Sequence, residues 1–271
     1  MHPKLFEVGN FVITSFGVMM AAAFLVAGWI ASLEFRRRGH SPDDAWQLLL
    51  GAVLGGMLGA KLYYVALNWP DFLYQPWQSL RAGFVWYGGF IGGTLGVLYI
   101  ASKRQMPIGV VADCAGVALP LAYAVGRVGC FLVGDDYGRP TEHWIGIRFP
   151  DGAPPSTAGN LREQFGVGVD PSIPDSQVLA VHPTQLYEIA MSLVIFAYLW
   201  RVREAPRPSG SLFMLYLVLA GIERFIVEIF RAKDDRFFGP LTLAQAISLA
   251  IALGGAYGWW RLRQRRAAPV A

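Results

Sequence analysis

Residues 108–128 read IGVVADCAGVALPLAYAVGRV, apolar along almost the whole length yet carrying Asp113 and Arg127. At ~1.5 Å of rise per residue, about 20 apolar residues cross the ~30 Å hydrocarbon layer of a bilayer as a helix. Such a helix satisfies its own backbone hydrogen bonds, which lipid cannot do for it. The stretch is therefore predicted to span a membrane. The same reading applies to residues 11–33, 45–68, 84–101, 182–200, 211–230 and 241–260. Together they predict an all-α polytopic membrane protein with about seven transmembrane helices.

Composition agrees. Of the 271 residues 54% are hydrophobic and 15% charged, and mean hydropathy is +0.40. A soluble domain carries about a quarter charged residues. The whole chain, 1–271, reads as a single transmembrane domain. Its first apolar run is longer than a signal-peptide core and is followed, not preceded, by Arg36, Arg37 and Arg38, so it reads as a retained helix. Those arginines share one side of the alternating spans with Lys103, Arg104, Arg201, Arg203, Arg207, Arg261, Arg263, Arg265 and Arg266, all in short segments. On the other side the cations are dispersed through longer loops: Lys4, Arg81, Arg139, Arg148, Arg162, Arg231, Lys233 and Arg236. Short-loop Lys and Arg mark the cytoplasm, which predicts a periplasmic N-terminus and a cytoplasmic C-terminus.

The net charge of +4 sits at span ends and not on a basic face interleaved with aromatics, which argues against a nucleic-acid partner. Cys114 and Cys130 lie in or beside apolar helices, with no CxxC and no histidine cluster nearby. That argues against a disulfide framework and against a metal site.

A Gly- and Pro-rich polar insertion, residues 135–181, separates the fourth and fifth spans, with a candidate strand at 144–149. It is too long for a turn and too short for an independent domain, so a small external head is expected. The glycine-rich segments 55–59 and 88–96 look alike and permit close helix approach.

Charges inside spans cost roughly 2.5–3.5 kcal/mol each near the bilayer centre, so each needs a partner or a task. Lys61, Asp113, Arg127, Glu188, Glu223, Arg224 and Glu228 are such residues. Arg224 and Glu228 are one turn apart and can pair along one face; a purely structural ion pair is the plain alternative. Arg127 lies among glycines (GRVGCF at 126–131, GDDYGR at 134–139) whose backbone N–H groups are candidates for an anion-binding nest. A guanidinium holds phosphate at two points and keeps its charge. Arg127 and Arg224 near the outer leaflet would then clamp a lipid phosphate; simple snorkelling is the alternative.

In order along the chain, GAKLYY at 59–64, YGGFIGG at 87–93, Ala112-Asp113, the 126–139 segment, HPTQLYE at 182–188 and ERFIVEIFR at 223–231 resemble the prolipoprotein diacylglyceryl transferase family. The resemblance covers nearly the whole chain. It implies seven transmembrane helices with an external head, in the cytoplasmic (inner) membrane of bacteria, with the active site toward the periplasmic leaflet. The implied reaction moves a diacylglyceryl group from phosphatidylglycerol to the lipobox cysteine thiol of a preprolipoprotein signal peptide. It leaves a thioether and glycerol phosphate and uses no metal or organic cofactor. By the same resemblance Arg127 binds the headgroup phosphate, Arg224 is the second essential cation and Glu228 orients it. Asp135 stands where Glu is usual, Gly138 is the motif's closing glycine, Tyr64 matches a second-span tyrosine, and Lys61 replaces Arg. Asp113 and Glu188 are expected to hold the arginines.

Two further positions depart. Tyr87 occupies the place of a histidine proposed as general base, and Cys130 the place of a frequent Asn. A phenol needs a neighbouring cation to serve as base near neutral pH. Tyr87 beside an arginine, or His182, or a carboxylate such as Asp135, are the candidates; His182 also reads as a hydrogen-bonding residue at the mouth of the fifth helix. A divergent relative with another acceptor, or one that only binds lipid or lipoprotein, is the alternative function. A transporter or channel would need an inverted repeat or paired broken helices, and neither is visible. A protease would need HExxH or GxSxG, also absent from the sequence.

Overall fold

The computed structural model describes residues 4–8, 11–232, 236–238 and 241–267. A hairpin of β1 (Lys4–Val8) and β2 (Phe11–Thr14) leads into α1 (Ser15–Arg37), then α2 (Pro42–Leu67), the short α3 (Trp69–Tyr74) and α4 (Pro76–Arg81), α5 (Trp86–Lys103) and α6 (Ile108–Val133). There follow β3 (Ile147–Arg148), α7 (Ala158–Glu163), β4 (Ala180–Val181), α8 (Thr184–Val202), α9 (Ser211–Phe230), β5 (Arg236–Phe238), β6 (Leu241–Thr242) and α10 (Leu243–Ala267). A long helix stands at each of the seven apolar stretches, and α1, α2 and α6 are long and apolar enough to cross a membrane by length and composition. Lys233, and the side chains of Lys4, Arg236, Arg265 and Arg266, lie outside the described residues.

Helix starts differ from the hydropathy reading for local reasons. Residues 11–14 pair with β1 as an antiparallel strand, and α1 begins only where Thr14 Oγ1 accepts the Gly17 N–H at 3.1 Å. The last helix begins at Leu243, because Thr242 Oγ1 accepts from Gln245 N and Gln245 Oε1 accepts from Thr242 N, each at 3.1 Å. That reciprocal cap fixes the boundary. Pro70 and Pro76 open α3 and α4 within the connection between the second and third stretches, where a missing N–H costs nothing.

The chain gathers into two compact units, Gly28–Cys114 and the flanking N-terminal stretch with Ala115 onward. Within the first, α2 and α5 meet backbone to backbone along Gly51, Gly55, Gly59, Gly88, Gly92 and Gly96. A Cβ on Gly92 would overlap the Gly55 carbonyl oxygen and sit 2.9 Å from Gly59 Cα. Beside this seam, Phe35, Leu48, Met106 and Cys114 form a buried core, and Arg38 Nη1 donates to Asp113 Oδ2 at 3.2 Å.

Within the second unit α9 packs on α8 and on α10. The insertion builds its own small core from Tyr137, Phe149, Leu161 and Val181, each large side chain contributing roughly 1.5–3 kcal/mol by burial. The strand expected at 144–149 is the two-residue β3, which pairs with β4. Tyr137 reaches across to donate to the carbonyls of Pro154 and Pro155, both at 3.0 Å.

Candidate active site

Arg127 lies near the end of α6 with its side chain 11% exposed. Nη2 donates to Glu188 Oε1 at 2.7 Å and Nε lies 2.6 Å from Glu188 Oε2, a close ion pair to α8. Tyr123, one turn earlier on α6, donates its hydroxyl to Glu188 Oε1 at 2.8 Å and accepts from Arg127 Nε at 3.0 Å. Glu188 is 1% exposed, and a carboxylate so buried is tolerated only when paired and hydrogen-bonded.

The other edge of the guanidinium meets Asp136: Arg127 Nη1 donates to Oδ2 at 2.9 Å and lies 3.4 Å from Cys130 Sγ. Asp136 is shared, since its Oδ1 accepts from Arg231 Nη2 at 2.7 Å. Arg231 Nε is 3.8 Å from Glu228 Oε2, which lies 2.6 Å from Arg224 Nη1. Glu188, Arg127, Asp136, Arg231, Glu228 and Arg224 thus alternate in sign along one connected line. Burial alone would raise the Asp136 carboxyl, but Arg231 and Arg127 outweigh it and hold it below the usual carboxylate range.

Local geometry explains this convergence. Positions 224, 228 and 231 follow helical i, i+4, i+7 spacing and share a face. After α6 the chain turns sharply through Gly134 (φ +74°) and Asp136 (φ +56°), a left-handed backbone that Asp tolerates better than most residues. Side chains at the start of α8 hold this turn: Thr184 Oγ1 donates to Asp136 O at 2.6 Å, and the Gln185 amide donates to Asp135 O. The Gly138 N–H then donates to His182 O at 2.7 Å. A Cβ there would overlap Phe230 O and approach His182 Cβ to 2.7 Å.

The expected nest of free glycine N–H groups is not formed. The N–H groups of Gly134 and Asp135 go to Cys130 O, that of Gly138 to His182 O and that of Arg139 to Phe230 O. Those donors close the turn instead. His182 sits where Nδ1 is 3.0 Å from Tyr187 Oη and its ring meets Phe230 edge-on, with burial lowering its pKa. Within the Gly28–Cys114 unit, Asp113 is ion-paired with Arg38, a short-loop arginine 75 residues away in sequence.

Lys61, Tyr64 and Tyr87 belong to the Gly28–Cys114 unit. Lys61 Nζ donates to the carbonyls of Ala82 and Gly83 and sits 4.2 Å over the Phe84 ring, fastening the lead into α5. Tyr64 packs where a Cβ on Gly83 would come within 2.9 Å of its ring. Within that unit Tyr87 is 55% exposed and its described contact is an edge-on one with Trp86.

Asp135 Oδ1 is buried with no hydrogen-bond partner among the described residues. Burial first, then the like charge of Asp136, raise its carboxyl above the usual range. Folding thus disfavours the ionised form, a penalty absent below the unfolded carboxylate pKa, about 4, and growing as pH rises through it. Asp135→Asn is expected to raise the thermal midpoint at neutral pH and leave it unchanged near about pH 3. An equal or lower midpoint at neutral pH would contradict this. Cys130, Asp135 and Asp136 bring potential metal-ligand atoms within 4.8 Å of one another, but a cation there would have to displace two guanidinium groups from Asp136.

Sequence reasoning missed Tyr123, Asp136 and Arg231 as members of the site. The i, i+4 spacing of Tyr123 to Arg127 and the i+7 placement of Arg231 were the available signals. Nothing in the sequence distinguished Asp136 from its neighbour Asp135.

The prolipoprotein diacylglyceryl transferase family model matches residues 3–261. Similar relatives include the phosphatidylglycerol–prolipoprotein diacylglyceryl transferase of Clostridium tetani, 31% identical over 92% of this chain and 93% of the relative. That of a Nostoc species is 31% identical over 97% and 90%, and that of Geobacter sulfurreducens 30% over 93% and 92%.

Proposed function

The chain belongs to the prolipoprotein diacylglyceryl transferase family, and on that premise we propose how its residues move a diacylglyceryl group from phosphatidylglycerol to a prolipoprotein. It is a membrane enzyme that carries out this transfer. The acceptor is the lipobox cysteine thiol of the preprolipoprotein signal peptide. Its sulfur attacks the glyceryl carbon that bears the phosphate; a C–S bond forms, the C–O bond breaks, and glycerol phosphate leaves with the electron pair. The thiol proton is the one remaining atom to place, so the balance closes without a cofactor.

The observation that carries this reading is the sharing of Asp136. Two guanidinium groups, Arg127 and Arg231, converge on the two oxygens of one carboxylate that is 40% exposed. A phosphodiester presents the same pattern, two anionic oxygens with one charge, and takes the place of Asp136 between them. As the C–O bond breaks, phosphate charge grows from one toward two. Fixed cations gain more from the transition state than from the substrate, which lowers the barrier. Arg224, gripped by Glu228, is a further cation on this line. Glu188 fixes the plane of Arg127.

Asp135 receives the thiol proton. Its raised pKa narrows the gap to a cysteine thiol near 8.5. Asp135→Asn is expected to lower transfer about 10²-fold, while Tyr87→Phe stays within about threefold of the parent. The reverse pattern would give the proton to Tyr87. Lys61, Tyr64 and Gly138 act through backbone contacts and packing, His182 through its hydrogen bond to Tyr187, and Asp113 through its ion pair with Arg38.

All seven long helices cross the bacterial cytoplasmic membrane as one domain over 1–271, with the N-terminus periplasmic, the C-terminus cytoplasmic and residues 135–181 as an external head. The alternation of Lys and Arg between loops supports this. So does the charged line, which gathers the end of α6, the start of α8 and the end of α9, the helix ends that the alternation assigns outward. Outer-leaflet phosphatidylglycerol then presents its phosphate at the right depth. Mass spectrometry of a lipobox peptide incubated with purified protein and phosphatidylglycerol tests the reaction. A gain of one diacylglyceryl group is expected; no gain with folded protein would end the proposal.

A further inference from the structure

At the other end of α8, α9 and α10 lies a cavity of about 570 Å³, lined among others by Tyr198, Arg207, Ser211, Trp259 and Arg263. It stands roughly one length of α8 from Thr184; 19 residues of helix span about 28 Å. Its cations differ from those of the Arg127 line. Among the described residues neither Arg207 nor Arg263 has a carboxylate partner, whereas their neighbour Arg203 lies 3.5 Å from Glu204. The Arg263 guanidinium sits 4.1 Å over the Trp259 ring, which holds it in place without neutralising it.

A second observation points to a ligand. Ser211 lines the cavity and is 1% exposed, yet its Oγ has no hydrogen-bond partner among the described residues. Buried hydroxyls are nearly always satisfied. Ser211 also begins the 20-residue α9, where the helix dipole is positive. Two unneutralised guanidiniums, an unsatisfied hydroxyl and a positive helix end call for an anion with several acceptor oxygens. A phosphate serves all of them at once. The walls say what the phosphate is attached to: Tyr198 and Trp259 line the cavity, and Tyr257 and Trp260 on the same helix as Trp259 are exposed, amphipathic rings of the kind that sit at the headgroup level.

We infer that this cavity holds the phosphate of an anionic phospholipid from the leaflet opposite the Arg127 site, a lipid that is retained and not consumed. The leaflet assignment rests on α8, α9 and α10 crossing the bilayer as proposed above; the phosphate chemistry does not.

The test uses the full chain, purified in detergent and titrated with phosphatidylglycerol, phosphatidylcholine or inorganic phosphate under native mass spectrometry. The parent is compared with R207Q/R263Q, the charge-keeping R207K/R263K and, as a control outside the cavity, R201Q, all checked for an unchanged thermal midpoint. The parent should retain one more phosphatidylglycerol than R207Q/R263Q, with affinity for it about fivefold weaker per arginine removed, about 25-fold for both. R207K/R263K should recover most of that loss, and R201Q and phosphatidylcholine should show none. Transfer to a lipobox peptide should be unchanged, which separates this site from the active one. Equal phosphatidylglycerol retention by folded R207Q/R263Q would overturn the inference. Loss of inorganic phosphate binding with unchanged lipid retention would assign the cavity to a free anion and overturn it as stated.

Discussion

Arg127→Ala is expected to abolish detectable diacylglyceryl transfer, a fall of about 10³-fold or more. The lost group touches both carboxylates, Glu188 and Asp136, and among the described residues no other cation pairs with both. The substitution has a second consequence that must be separated from the first. Glu188 is 1% exposed, and without its guanidinium it becomes an uncompensated buried charge, a cost of ~3–5 kcal/mol. The double variant R127A/E188Q removes that charge. It is expected to recover the thermal midpoint of the parent and none of its activity. Recovery of both would mean that Arg127 serves only to neutralise Glu188, and the phosphate clamp would have to be abandoned. Arg224→Ala should fall less steeply, because Glu228 keeps Arg231 and the Thr242 hydroxyl as partners.

The second large effect is structural. Gly92→Val should destabilise the Gly28–Cys114 unit by upward of about 3 kcal/mol, beyond the usual range for an overfilled core. Its Cβ would overlap a backbone carbonyl, that of Gly55, and a carbonyl in a helix has no rotamer with which to yield. Gly89→Ala in the same segment is the internal control. The nearest atoms to its Cβ are Ala60 Cβ at 3.5 Å and Gly56 O at 3.6 Å, ordinary contact distances. Thermal unfolding of the two variants in one detergent distinguishes a seam of contacting backbones from a merely glycine-rich helix. Equal midpoints would refute the seam.

Both results depend on features that differ in how far the sequence revealed them. The glycine segments 55–59 and 88–96 were recognisable as packing surfaces because small residues at helical spacing leave backbone exposed. The long helices followed from apolar length, since hydropathy integrates over many residues and tolerates local error. Helix starts did not follow, because caps such as Thr14 and Thr242 depend on one side-chain bond each. In the site, Arg127, Arg224, Glu188 and Glu228 stood out as charges inside apolar runs. Pairings across long sequence distance did not: Arg38 meets Asp113 because two helices come together, which no local pattern encodes. The role of Asp136 was hidden for another reason. It depends on two left-handed backbone positions, Gly134 and Asp136, that reverse the chain after α6.

That shared carboxylate has a bearing on turnover. The leaving glycerol phosphate carries more charge than the lipid it came from, so guanidiniums that speed the reaction in the proposed way would also resist letting the product go. Asp136 is tethered within reach of the same donors, and a tethered competitor acts at a high effective concentration. On the proposed reading, it re-enters as the product shifts and evicts it. Asp136→Asn should accordingly turn a steady reaction into one that bursts once and stalls, with added glycerol phosphate becoming a potent inhibitor.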